Sequence, residues 1–183
     1  AFAGPGPGRV RRGLASLGLA RGNALRGVGL TAALALAVCL FQLFNSRYAE
    51  SIAALLASAR ALVVLPLAFA FLLVTAALTE EVFFRGYLQT RLERLTGSPI
   101  VGLLAASVLF GVYHLPYAYL NPRWPSHGDW SEALSASLGQ GVPGGLILGG
   151  LFLYSRRNLV APILLHAAID LLPASTMIKI SAG

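Results

Sequence analysis

Five apolar runs, each about the length of a membrane crossing, set what this chain can fold into. They are residues 28–45 (VGLTAALALAVCLFQLFN), 61–79 (ALVVLPLAFAFLLVTAALT), 99–120, 135–154 and 159–180. An α-helix rises 1.5 Å per residue, so about 20 residues cross the hydrocarbon core of a bilayer. Residues 51–59 would extend the second run, but Arg60 interrupts it. Of the 183 residues, 56% are hydrophobic and 11% charged, whereas soluble domains carry about 25% charged residues. Too little polar surface remains to cover a water-facing globule. The expected fold is all-α, a polytopic transmembrane bundle of about five to six spanning helices.

The formal net charge is +7. Its arginines stand between the apolar runs, so topology rather than nucleic acid explains them, and no nucleic-acid partner is expected. With the N-terminus in the cytoplasm, Arg9, Arg11, Arg12, Arg21, Arg26, Arg85, Arg91, Arg94, Arg156 and Arg157 fall on the inner side. Arg47, Arg60, Arg123 and Lys179 fall on the outer side. The positive-inside rule favours this orientation, with the C-terminus outside. Residues 1–27, rich in Gly and Arg, read as a basic cytoplasmic arm, and 28–183 as the transmembrane domain. The chain begins with Ala1, so its true start is missing, and no signal peptide is expected. The dominance of arginine over lysine points to a GC-rich genome. Cys39, the one cysteine, can form no internal disulfide and reads as a packing or lipid-facing residue. No internal repeat and no soluble domain boundary is evident.

The loop 121–130 (NPRWPSHGDW) holds two tryptophans, which favour the membrane interface. Its His127 reads as an ordinary exposed histidine. Gly141, Gly145 and Gly149 recur every four residues and form a groove for close helix packing within the bundle. Pro143 is expected to kink this stretch.

Ionisable residues inside apolar runs are costly and call for a reason. Glu80 and Glu81 close the second run, His114 lies in the third, and His166 and Asp170 lie in the fifth. Glu81 and Arg85 are four apart and predict a pair on one helix face. Glu80, rotated about 100° from Glu81, then points toward the face of Phe84 and Tyr87. His166 and Asp170 are also four apart, so the aspartate can orient the imidazole or share a ligand with it. Thr96-Gly97-Ser98-Pro99 reads as a helix stop and restart. With Gly97 at the hairpin tip, Glu80 and His114 each lie about 25 Å from it at 1.5 Å per residue, level with each other. His166 lies about 12 Å from its own turn, so the tip must project roughly 10 Å further for it to share that depth, in the cytoplasmic half of the bilayer. Taken singly, a Glu-Glu at a helix end reads as interfacial and a lone histidine as a backbone partner. Taken together they favour a site.

Glu80-Glu81 with Arg85, Phe110 with His114, and His166 with Asp170 resemble the EExxxR, FxxxH and HxxxN/D motifs of the CAAX protease and bacteriocin-processing (CPBP, or Abi) family. The resemblance covers about residues 75–175. Asp170 stands where many members have asparagine. It implies an intramembrane endopeptidase of a bacterial or archaeal cytoplasmic membrane, acting on membrane-associated proteins or peptides, prenylated CAAX-type substrates among them. It further implies that Glu80 activates water with His114 assisting, that His166 and Asp170 stabilise the oxyanion or bind the site's water or metal, and that Glu81, Arg85 and Phe110 support them. Two chemistries fit: a metal-free glutamate mechanism, or Zn²⁺ held by His114, His166 and Glu80. HExxH is absent, so any metal site is assembled across helices. Two rival readings stand beside the peptidase. One is a non-catalytic immunity or scaffold protein of the same fold. The other is a proton-coupled transporter, which the absence of an inverted repeat disfavours.

Overall fold

The computed structural model of the chain describes residues 24–45 and 48–176. Most of the basic arm, Arg47, Lys179 and the last residues of the fifth run lie outside the described residues. Among those described, every regular element is helical. In chain order these are α1 (Ala24–Asn45), α2 (Ala49–Leu56), α3 (Ala61–Thr96), α4 (Pro99–Leu120), α5 (Trp130–Tyr154) and α6 (Val160–Thr176). Four of them, α1, α3, α4 and α5, are long and apolar enough to cross a membrane, and α6 is a shorter apolar helix. The five sequence runs thus each correspond to a helix, and the fold is a polytopic helical bundle.

Many large apolar side chains point outward, with Leu62 81% exposed, Phe44 75% and Phe71 66%, while Ile52, Leu148, Phe152 and Leu165 are buried. The buried set also includes the polar Thr31, Glu81, Arg85, Gln89, Ser107 and His166. Lipid tails are as apolar as leucine, so a membrane helix gains little by turning leucine inward, and small or polar residues share the helix contacts. Hydroxyls within the spans bond their own helix, as Thr75 Oγ1 does to Phe71 O and Ser107 Oγ to Leu103 O, both at 2.7 Å. That satisfies donors which lipid cannot.

Two compact units divide the chain. The first holds residues 24–81 and 160–176, where α6 packs against α1, α2 and the first part of α3. After α2 the chain turns at 57–60, with Ser58 Oγ bonded to Leu55 O, before α3 begins.

The second unit holds residues 82–159, the rest of α3 with α4 and α5. Gly97 ends α3 in the left-handed conformation at φ 68°, and Ser98 caps α4 by accepting from Val101 N–H ahead of Pro99. The predicted stop and restart is therefore in place. Helices α4 and α5 run antiparallel along the glycine groove. A Cβ at Gly141 would lie 2.6 Å from Gly111 Cα, one at Gly145 2.8 Å from Ser107 Cα, and one at Gly149 2.7 Å from Gln89 Oε1. Contact positions fall along α4 as they rise along α5, so the groove serves packing within this unit. Pro143 follows a π-helical turn, Ser137–Gly141, and sits in the first turn of the α-helical stretch that begins at Val142. There its missing N–H is tolerated.

Backbone cannot yield at Gly145, so Gly145→Val is expected to cost about 1–3 kcal/mol and lower the melting midpoint in detergent. Gly144 faces open space, so Gly144→Ala should melt no lower than the parent.

Candidate active site

In the first unit, Glu80 and Glu81 lie on a short α-helical stretch, Leu78–Glu81, that follows a π-helical segment, Leu73–Ala77. A second π-helical segment, Val82–Gln89, begins at the next residue. Such segments break the 3.6-residue register and often mark functional positions.

Glu81 is fully buried. Its Oε1 lies 2.7 Å from Nδ1 of His166 on α6, so with an ionised carboxylate the ring donates from Nδ1. The opposite ring nitrogen, Nε2, faces Asp170 Oδ2 at 3.5 Å and Glu80 Oε2 at 3.8 Å. Asp170 reaches the ring through its i, i+4 spacing. Exposure rises across the cluster, from 0% for the Glu81 side chain to 17% for Glu80 and 39% for Asp170. The hydrogen bond that orients the ring is sealed, and the carboxylates on its other side are reachable. Orientation of His166 therefore falls to Glu81.

A further contact holds α6 in place. Pro173 lies within α6 and has no N–H, so the carbonyl four residues earlier, that of Ile169, loses its intrahelical donor. Gln42 of α1 donates its Nε2–H to Ile169 O at 2.7 Å. This peptide adjoins Asp170 and lies within one turn of His166. Pro173 signals the orphaned carbonyl in the sequence, but nothing there identifies its donor.

His114 belongs to the second unit. Its Nδ1 lies 2.7 Å from Phe110 O. A carbonyl only accepts, so Nδ1 carries the proton and the neutral ring keeps its lone pair on Nε2. Four-residue spacing along α4 makes this contact possible. Phe110 also packs its ring 4.5 Å from that of His114 and carries the Arg85 guanidinium, 4.3 Å from its centroid. Phe84 stacks edge-on against Phe110 and Tyr113, with centroids at 5.0 and 5.2 Å. Arg85 is buried and donates to Gly145 O at 3.3 Å, and Gln89, one turn on, donates to Gly149 O at 3.4 Å. Gln89 has no counterpart in the motifs read from the sequence. Among the described residues, no three His, Cys, Asp or Glu side chains are grouped to hold a metal ion.

Residues 62–172 match the model of the type II CAAX prenyl endopeptidase Rce1-like family. That span contains every site residue read from the sequence and excludes Gln42. No curated protein and no solved structure matches the chain.

Gln42→Leu should destabilise the fold by about 1 kcal/mol, the cost of leaving a part-buried carbonyl unsatisfied. Pro173→Ala restores an intrahelical N–H, so the double variant should melt well above Gln42→Leu alone. Thermal melts in detergent check this, and equal losses with and without the proline would refute the assignment.

Proposed function

The chain belongs to the type II CAAX prenyl endopeptidase Rce1-like family, and from that premise we propose that it is an intramembrane endopeptidase in which Glu80 activates the attacking water. The observation that carries this reading is the Glu81–His166 hydrogen bond inside apolar helices, with Glu80 and Asp170 on the other side of the ring. Such a cluster is costly in lipid and calls for a use.

In the proposed reaction, Glu80 takes a proton from water as its oxygen bonds to the scissile carbonyl carbon. The carbonyl electrons move to oxygen. An imidazolium at His166, fixed through Nδ1 by Glu81, would present an Nε2–H to that developing oxyanion. Asp170, on the same edge of the ring, stabilises the charge on His166. Collapse of the adduct breaks the C–N bond, and Glu80 returns its proton to the leaving amine. His114 assists in this scheme on the strength of its motif. Its Phe110 hydrogen bond suits it to accept at Nε2 when neutral. Arg85 and Phe110 hold that ring's surroundings.

The proposed substrates are membrane-associated proteins or peptides of the prenylated CAAX type, and the proposed orientation keeps the N-terminus in the cytoplasm. Zinc is the alternative chemistry, which a chelator distinguishes.

An internally quenched farnesylated CAAX peptide, incubated with the detergent-purified protein, tests the proposal. Glu80→Gln and His166→Ala are each expected to lower kcat by about 10²–10⁴-fold. Activity that survives Glu80→Gln would sink the mechanism. Loss of activity on chelation, restored by added zinc, would replace the metal-free version with the zinc one. A folded protein that cleaves no CAAX peptide and no unprenylated membrane peptide would favour the immunity or scaffold reading.

A further inference from the structure

Helix α5 ends in a Schellman turn. Arg157 N–H bonds Phe152 O at 2.8 Å, and Arg156 N–H bonds Leu153 O at 3.1 Å. The residue after the cap in this motif takes the left-handed conformation, where glycine is the usual occupant. Helix α3 follows that rule with Gly97 at φ 68°. Here the position holds Arg156 at φ 54°, and Arg157 follows at φ 61°. Two consecutive L side chains in this region are disfavoured. The buried Ser155 hydroxyl reinforces the turn, 2.9 Å from Asn158 O and 3.1 Å from Phe152 O. A turn so strained, where glycine would relax it, suggests a use for the side chains it presents.

Those side chains join others. Arg157 pairs with Glu93 of α3, which sets the turn against the end of that helix. Arg91, Arg94 and Arg156 are exposed at the same end, with Arg91 lying 5.6 Å from the Tyr87 ring centroid. Among the described residues of this unit, the charged side chains at this end comprise four arginines and one glutamate, a surplus of three positive charges. At the other end of α4, residues 121–132 carry Arg123, Asp129 and Glu132, a surplus of one negative charge with His127 neutral. The basic end also exposes apolar residues beside its arginines, Leu95 at 83% and Ile100 at 65%. Guanidinium groups match phosphate, and adjacent exposed leucine and isoleucine match acyl chains.

We infer that this arginine collar is a binding site for the phosphates of anionic phospholipid headgroups, with Arg156 as its anchor. The inference rests on the helices crossing a bilayer and not on the peptidase reading. Inorganic phosphate shares the headgroup's chemistry but lacks its acyl chains.

The test is reconstitution in nanodiscs of mixed phosphatidylcholine and phosphatidylglycerol, with retained lipid measured by mass spectrometry and melting measured in neutral detergent. The wild type should enrich phosphatidylglycerol. Arg156→Gly should melt at least as high in detergent, because it relieves the turn, yet lose about 5-fold of that enrichment, the order expected for one arginine at an anionic surface. Arg94→Gln, outside the strained turn, should lose enrichment without a change in melting. Undiminished enrichment in both variants would overturn the inference. So would a lower melting midpoint for Arg156→Gly, or stabilisation by inorganic phosphate equal to that by the lipid. Preferential binding of a soluble acidic peptide over anionic nanodiscs would overturn it as well.

Discussion

A carboxylate with no exposed surface, hydrogen-bonded to an imidazole between apolar helices, is the interaction on which the first unit depends. Moving either group from water into a low-dielectric interior is costly, and only a partner of good geometry offsets the loss. Glu81 and His166 meet that condition at 2.7 Å. Each comes from a different helix, so the bond fixes the facing of α3 and α6. Once the ring is fixed at Nδ1, its Nε2 edge can be directed toward Glu80 and Asp170. Gln42 adds a second polar tie from α1 to α6, where Pro173 has opened the backbone.

The second unit solves the same problem with backbone rather than side-chain acceptors. Arg85 and Gln89 stand four residues apart and reach the carbonyls of Gly145 and Gly149, also four apart. A carbonyl in a helix has a second lone pair to offer, but side chains normally screen it. Glycine removes the screen and lets α4 approach, so one repeat serves both close packing and the satisfaction of buried donors. The guanidinium then lies over Phe110, whose carbonyl fixes the proton of His114.

Much of this was legible in the sequence because the signals are local. The helix break at Gly97 and Pro99, the glycine groove, and the ionisable residues within apolar runs all follow from single-residue chemistry and spacing. The His166–Asp170 proximity follows from the α-helical period, which holds along α6. The Glu81–His166 bond did not follow, because spacing along one helix says nothing of a ring 85 positions away. Gln42 is half legible: Pro173 announces an orphaned carbonyl at 169, and any donor on a neighbouring helix could have filled it. No sequence pattern announced the π-helical turns.

Those turns matter to the chemistry because they decouple neighbours. In a regular helix, the direction of Glu81 would fix the direction of every residue through Gln89. With π-helical geometry on both sides of Leu78–Glu81, the glutamates can face α6 while the residues that follow obey the packing demands of their own unit. Within the second unit, Arg85 meets Gly145 O. A wide turn gives up some regular hydrogen bonding, which is a poor trade for stability alone in a membrane helix. It becomes a sensible one where it lets Glu81 keep the geometry that its bond to His166 needs.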